Sequence, residues 1–236
     1  MSATASAVRK PLSGPYRKTA ALVGVLFLSA TATFAIGSGL ITSYFSGESG
    51  QTSTLATGVL FEAISAIAVA AIGVLMWPIF RRYSAGLGGG YAALRIGEAL
   101  MIISAGIYML TTKNDFAHYD AFIYVFTASA GLIFSYLLYV SGLIPRFLAV
   151  LGLIAYISLA IGIPVSLLGD VQLDAGWGLI FVAAGAVFEL VVPLLLIFKG
   201  FSTGAKEPRL GGDHLSAPVE PIAIPDLGLT GAAPRR

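Results

Sequence analysis

The sequence predicts an all-α membrane protein, a bundle of six transmembrane helices with both chain ends in the cytoplasm. Hydrophobic residues make up 57% of the 236 residues and charged residues only 11%, whereas a soluble domain carries roughly 25% charged residues. Six stretches of the chain reach the length of about 20 mainly apolar residues that crosses a bilayer. Basic residues collect in alternate segments between these stretches, which indicates one orientation in the membrane.

The six predicted helices follow a basic N-terminal tail, residues 1–18, and together form a membrane domain over residues 19–201. They span residues 20–44, 54–80, 90–110, 121–141, 147–168 and 177–198. The first is longer than the roughly 7–15 apolar residues of a secretory signal, so we expect it to be retained. The third is the least hydrophobic, because Arg95 and Glu98 interrupt it. Pro164 and Pro193 are expected to kink the last two helices.

The connections between the predicted helices are short. Residues 142–146, with the sequence Gly-Leu-Ile-Pro-Arg, predict an antiparallel hairpin of the fourth and fifth helices. Residues 86–90 are rich in glycine but lack the lysine of a phosphate-binding loop, so we interpret them as a flexible inner turn. Residues 202–236 are rich in Pro, Gly and Ala without apolar periodicity, which predicts a disordered cytoplasmic tail.

The distribution of charge predicts that both ends lie in the cytoplasm. With the N-terminus inside, the outer loops hold a single basic residue, Lys113, beside several acidic ones. All the other basic residues outside the spans fall on the inner side: Arg9, Lys10, Arg17, Lys18, Arg81, Arg82, Arg146, Lys199, Lys206, Arg209, Arg235 and Arg236. This asymmetry is typical of cytoplasmic segments.

Composition also excludes several classes of function. The chain has no cysteine and only two histidines, His118 and His214, both outside the predicted helices. Disulfides, thiolate metal sites and haem held within the bundle are therefore excluded, and no nucleotide-binding motif is present. A net charge of +2 is too small to argue for nucleic acid. We expect no cofactor and no metal, and the partners we expect are the lipid bilayer and a small-molecule or lipid ligand, with the oligomeric state left open.

Three ionisable residues within the predicted helices form the main candidate site: Arg95, Glu98 and Glu189. A charge at mid-bilayer costs about 2.5–3.5 kcal/mol, so such residues normally face protein or water and have partners. Arg95 and Glu98 share one helix face and can pair, with Tyr91 one turn before them. Glu98 and Glu189 lie at a similar depth, roughly 12–14 Å from the inner ends. If the third and sixth helices are neighbours, one Arg faces two Glu, and the uncompensated carboxylate can hold a proton.

Secondary candidates are Glu62, Tyr91 and Tyr124. Glu62 begins a face of small residues on the second helix, nearer the outer surface, which suits close helix packing. Tyr124 begins a polar stripe on the fourth helix, with Thr127, Gly131, Ser135 and Tyr139. Asp115, His118 and Asp120 share one outer loop, and we interpret them as a hydrated loop rather than a metal site.

Several motifs together resemble one family. They are Lys18-Thr19-Ala20 leading into residues 24–28, residues 90–98 from Gly-Tyr to Glu98, Ile144-Pro145-Arg146-Phe147-Leu148 with residues 152–154, and Glu189 through Lys199-Gly200-Phe201. In this order they resemble the bacterial membrane proteins of domain of unknown function 4386, over about residues 18–201. Phe147 and Phe198 depart from the family pattern, where Trp and Val are expected. The resemblance implies a six-span protein of the bacterial cytoplasmic membrane, places Arg95, Glu98 and Glu189 in the family pattern, and supplies no activity.

Three functions fit this sequence. The first is a small transporter or ligand-binding membrane protein, in which Arg95 meets an anionic group at an inward-facing cavity and Glu189 exchanges a proton. The alternative is a non-catalytic structural or assembly component of the membrane, in which the charges pin helix packing. The third is an intramembrane enzyme acting on lipid, the least favoured because the membrane segments lack Cys and His. The sequence therefore disfavours an enzymatic function.

Overall fold

The computed structural model describes residues 15–169, 173 and 176–202, and these residues form six long α-helices without any strand. The helices are α1 (Pro15–Phe45), α2 (Thr52–Phe80), α3 (Ala85–Thr112), α4 (Tyr119–Ser141), α5 (Arg146–Gly169) and α6 (Leu179–Phe198), and a 3-10 turn at Gly176–Gly178 precedes α6. All six are long and apolar enough to cross a membrane. The predicted all-α membrane fold is therefore confirmed.

The first helix begins before its predicted start. α1 begins at Pro15, so residues 15–18, which the sequence assigned to the tail, belong to the helix. Proline suits the first position of a helix, because its fixed φ matches the helix and its missing N–H would have no partner there. The remaining predicted tail residues, 1–14 and 203–236, lie outside the described residues.

The six helices form a closed ring. Each packs against its neighbour in sequence, and α1 also packs against α6. Close contacts show that the neighbours run antiparallel: a Cβ on Gly37 of α1 would lie 2.8 Å from the Gly58 carbonyl of α2, and one on Gly24 of α1 would lie 2.8 Å from Ile197 of α6. The chain therefore enters and leaves the ring on one face, which we call the terminal face. The other face, which holds residues 46–51 and 113–118, is the distal face.

The outer surface of the ring is apolar and its interior holds the charges. Leu60, Ile67 and Val74 of α2, spaced by seven residues, are 60%, 67% and 59% exposed, as expected for side chains that face lipid. The buried polar and charged side chains lie inside: Glu62, Ser65, Arg95, Glu98, Ser135 and Ser141. This arrangement follows from a bilayer solvent, in which polar groups need protein partners.

The predicted flexible turn at residues 86–90 is wrong, because these residues lie in the first turns of α3. Ser84 caps the helix: its hydroxyl accepts a hydrogen bond from the Leu87 N–H at 3.3 Å. The glycines allow close approach to α2, since a Cβ on Gly88 would lie 3.0 Å from the Arg81 nitrogen and one on Gly89 would lie 3.1 Å from the Trp77 ring. These glycines therefore serve packing rather than chain flexibility.

The predicted hairpin of α4 and α5 is present. Gly142 ends α4 in the left-handed region at φ 67°, and its N–H donates to the Leu138 carbonyl at 3.0 Å, a geometry that favours glycine. Beyond α6, the Ser202 N–H donates to the Leu143 carbonyl at 2.7 Å. The end of α6 is thereby tied to the hairpin on the terminal face.

Candidate functional site

A cavity of about 360 Å³ lies inside the ring, and every helix contributes to its lining. Most lining residues are apolar or aromatic. The polar side chains among them are Thr31, Ser65, Arg95, Glu98, Tyr124, Thr127, Tyr156 and Glu189. All three residues of the main candidate site therefore line one cavity.

Arg95 and Glu98 form an ion pair on the α3 wall of this cavity. The Arg95 Nη1 lies 2.8 Å from the Glu98 Oε2, and the other carboxylate oxygen accepts a hydrogen bond from the Thr127 hydroxyl at 2.7 Å. Both charged residues are buried, with 3% and 4% of their surface exposed. Glu98 therefore has a charged partner and a neutral donor within the protein.

Aromatic groups also contact the Arg95 guanidinium. Its Nε donates to the Tyr91 hydroxyl at 3.4 Å, and its Cζ lies 5.6 Å from the centre of the Phe27 ring and 5.7 Å from that of Tyr91. On the α2 side, a Cβ on Gly73 would lie 2.8 Å from the Arg95 Cβ. Arg95 thus fits beside α2 only because residue 73 is glycine, and its charge is already matched by Glu98.

Glu189 lies on the α6 wall and has hydroxyl partners only. Its Oε1 accepts from the Tyr156 hydroxyl at 3.2 Å and its Oε2 from the Thr31 hydroxyl at 3.4 Å. Unlike Arg95 and Glu98, it is only partly buried. Within the described part of the chain, Arg95–Glu98 is the one carboxylate–cation pair in direct contact. Glu189 is nevertheless close enough to interact electrostatically with both members of that pair.

The third and sixth helices do not pack as the neighbours that the sequence argument required. α3 packs against α2 and α4, whereas α6 packs against α1 and α5. Helical rise predicts the depth of each residue along its helix, but it does not predict the lateral order of the helices. Arg95 and Glu98 therefore face Glu189 across the cavity instead of forming one contact cluster with it.

A layer of buried aromatic rings separates the cavity from the terminal face. The Tyr91 and Phe134 rings stack with centroids 5.4 Å apart, and Phe80 meets both rings edge to face. Phe188 contacts Phe134 and Tyr156 at 6.5 Å and 5.7 Å. These side chains interdigitate where the helices approach the terminal face, so they close the cavity on that side.

The cavity extends instead toward the distal face. Its lining includes Leu179 and Ile123, which lie in the first turns of α6 and α4 at their distal ends. The central cavity therefore lies nearer the face opposite the two chain ends. The reason is the aromatic layer, whose members come from α2, α3, α4 and α6 and are not adjacent in sequence.

A second cavity, of about 630 Å³, lies at the distal face, and we call it the vestibule. It is lined by Glu62, Asp115, His118, Asp120 and Tyr119, among others, and it shares Tyr124 with the central cavity. The Tyr119 hydroxyl donates to the Glu62 Oε2. The Glu62 residue is 1% exposed, and its Oε1 has no hydrogen-bond partner in the described structure.

The predicted secondary residues therefore fall into two places. Glu62 and Tyr124 lie at the vestibule, and Tyr91 lies behind Arg95 in the aromatic layer. Glu62 packs closely against α1, where a Cβ on Gly37 would lie 2.6 Å from its Cγ. Among the residues that the structure describes, no group of three or more His, Cys, Asp or Glu is placed to hold a metal ion.

Sequence reasoning missed three polar partners: Thr31, Tyr156 and Tyr119. Thr31 and Tyr156 hold Glu189, and Tyr119 holds Glu62. A hydroxyl within an otherwise apolar span indicates a polar contact inside the bundle, because a buried hydroxyl needs a hydrogen-bond partner. Its partner was not predictable, since the helices that supply these hydroxyls are distant in sequence from the carboxylates.

The fold and the cavity define an integral membrane protein of six spanning helices with an internal polar site. Residues 109–200 match the family model described as domain of unknown function 4386, which supports, over this segment, the family resemblance found in the sequence. The matched segment runs from the end of α3 through α6, so it includes Tyr156 and Glu189 but neither Arg95 nor Glu98. No curated protein and no solved structure matches the chain.

Proposed function

We propose that this protein is a small transporter or ligand-binding membrane protein that holds its ligand in the central cavity. The observation that carries the proposal is the cavity of about 360 Å³, lined from all six helices, with Arg95 and Glu98 on one wall and Glu189 on the other. An apolar cavity with a few convergent polar groups is the usual form of a small-molecule site.

Glu189 is the residue that we expect to meet the ligand. Ionisable groups within membrane segments commonly mark substrate or proton pathways. Arg95 and Glu98 satisfy each other, whereas the Glu189 carboxylate has two hydroxyl partners and remains accessible from the cavity. It is therefore placed to contact a ligand or to exchange a proton as the ligand binds.

We also propose that the protein resides in the cytoplasmic membrane of a bacterium with both ends in the cytoplasm. The basic residues of the terminal face and the family resemblance support this location. The distal face, with the vestibule, would then lie outside the cytoplasm. A ligand would enter from the external side in the described conformation.

Filling the central cavity with a larger side chain tests the proposed function. Gly185 lines the cavity on α6 and has open space where a Cβ would lie, so Gly185→Leu should occupy the ligand volume without displacing backbone. Gly39→Leu on α1 is the matched control, because Gly39 also has open space and lies outside the cavity lining. The purified full chain and both variants are screened by thermal shift against lipids, metabolites and ions.

We expect at least one compound to raise the melting temperature of the wild type and of Gly39→Leu, but not of Gly185→Leu. A ligand that binds only the folded state stabilises that state. Glu189→Gln should reduce the same shift. The alternative is a structural membrane component, which the satisfied Arg95–Glu98 pair favours. That alternative gains if no compound stabilises the wild type, or if every stabilising compound acts equally on Gly185→Leu.

A further inference from the structure

The charges around the central cavity do not balance. One guanidinium, Arg95, faces two carboxylates, Glu98 and Glu189, and no other Lys, Arg or His lines the cavity in the described structure. The guanidinium is bound to Glu98 at 2.8 Å and in contact with the Phe27 and Tyr91 rings. The charge of Arg95 is therefore already paired with Glu98, which argues against the role in binding an anionic group that the sequence suggested for it.

Glu189 in its ionised form supplies the uncompensated charge. Its partners within the protein are the neutral hydroxyls of Tyr156 and Thr31, which can hold a carboxylate but do not cancel its charge. A cation in the cavity would complete the balance that the protein leaves open. An anion would meet a wall of net negative charge in a medium where charge repulsion is weakly screened.

The remaining lining favours an apolar body on that cation. Phe34, Phe181, Ile102 and Leu159 line the cavity together with Tyr124 and Tyr156. Aromatic faces attract cations as well as apolar groups, most strongly when water is excluded. A positively charged nitrogen carrying apolar substituents would satisfy both the carboxylate and the walls.

The vestibule independently favours a cation. Glu62, Asp115 and Asp120 line it with His118, and no Lys or Arg does so in the described residues. The Glu62 Oε1 is buried there without a hydrogen-bond partner. A cleft lined by one sign of charge raises the local concentration of the opposite ion. Because Tyr124 belongs to both linings, a cation gathered at the vestibule lies next to the central cavity.

From these observations we propose that the ligand of the central cavity is an apolar organic cation, an amine or quaternary ammonium compound, which reaches Glu189 by way of the acidic vestibule. This inference rests on the proposed function and specifies its ligand. The ammonium group pairs with Glu189, and the apolar part lies against the aromatic and aliphatic walls.

The test compares three probes of similar shape and different charge: benzyltrimethylammonium, its neutral carbon analogue neopentylbenzene, and the anion phenylmethanesulfonate. Binding to the purified full chain in non-ionic detergent is measured by calorimetry, with stopped-flow association for the cation. The variants are Glu189→Gln, Glu62→Gln and the matched control Glu48→Gln, which removes an exposed carboxylate from the distal loop outside both linings.

We expect the cation to bind most tightly. Glu189→Gln should weaken that binding by at least about tenfold, as the loss of a charged partner does. Glu62→Gln should slow association most strongly at low salt, because steering is an electrostatic effect. Glu48→Gln should leave the affinity unchanged.

Two results would overturn the inference. If the neutral or anionic probe binds at least as tightly as the cation and Gly185→Leu abolishes that binding, the cavity binds ligands but the cation assignment is wrong. If Glu189→Gln and Glu48→Gln weaken the cation equally, the interaction is a general surface effect. The Gly185→Leu thermal-shift comparison tests the proposed function separately from the charge of the ligand.

Discussion

Arg95 and Glu98 show how far single residues could be interpreted from the sequence. Their spacing of three on one helix predicts that they can pair, and the structure contains the pair at 2.8 Å. The partners of Glu98 and Glu189 on other helices, Thr127 and Tyr156, depend on which helices face each other. Local spacing therefore specified the contact within α3, and only the fold specified the contacts across the cavity.

Replacing Arg95 by Met should destabilise the protein strongly, because Glu98 would remain buried without its cation. The loss of one partner from a buried ion pair typically costs about 3–5 kcal/mol. Arg95→Met is compared with Arg81→Met, which removes an exposed Arg from the terminal face, by measuring the free energy of unfolding in mixed micelles.

The double variant Arg95→Met, Glu98→Gln separates charge from packing. It should recover part of the lost stability, since the uncompensated carboxylate is gone. Equal stabilities of Arg95→Met and Arg81→Met would contradict a buried, structurally required pair.

At the level of helices, the length of the apolar stretches identified all six spans. One glycine-rich segment, residues 86–90, was misinterpreted. Residues 86–90 were expected to form a turn but begin α3, because the Ser84 cap and close packing on α2 outweigh the low helix propensity of glycine. Hydropathy reports which segments enter the membrane. It does not report which glycines permit helix contacts and which leave open space.

Gly152 of α5 and Gly185 of α6 should respond oppositely to the same substitution. A Cβ on Gly152 would collide with the Phe188 ring and the Ser135 hydroxyl, whereas one on Gly185 would enter open space. Gly152→Ala should therefore lower the free energy of unfolding by about 1–3 kcal/mol through overpacking. Gly185→Ala should raise it by up to about 1 kcal/mol through helix propensity.

Thermal unfolding of both variants in detergent measures this difference. The packing described for the α4, α5 and α6 contact would be contradicted if Gly152→Ala were as stable as Gly185→Ala. It would also be contradicted if Gly185→Ala were the more damaging change.

The molecule as a whole is a ring of antiparallel helices around a cavity that is closed on the terminal face by aromatic side chains. Composition predicted the six spans, which the structure contains, whereas the orientation inferred from the charge distribution stays a prediction. Composition and charge distribution could not predict the ring, because hydropathy does not identify which helices are neighbours and the lateral order depends on side-chain fit. The position of the cavity, next to the distal face, follows from that fit and from the aromatic layer.

The proposed ligand route requires water to reach the central cavity from the distal face. Cysteine labelling tests this directly, because the chain has no cysteine of its own. Intact cells expressing Gly185→Cys, Ser46→Cys, Ser84→Cys or Ile67→Cys are treated with a membrane-impermeant, trimethylammonium-bearing methanethiosulfonate. Ser46 marks the distal face, Ser84 the terminal face, and Ile67 the lipid-facing surface, where it is 67% exposed.

We expect Ser46→Cys and Gly185→Cys to react in intact cells, Ser84→Cys to react only after the membrane is opened, and Ile67→Cys not to react at all. A thiol in lipid stays protonated and unreactive, whereas one in a water-accessible cavity reacts as the thiolate. If Gly185→Cys stays unmodified while Ser46→Cys reacts, the cavity is closed to the distal solution and the proposed ligand route is wrong.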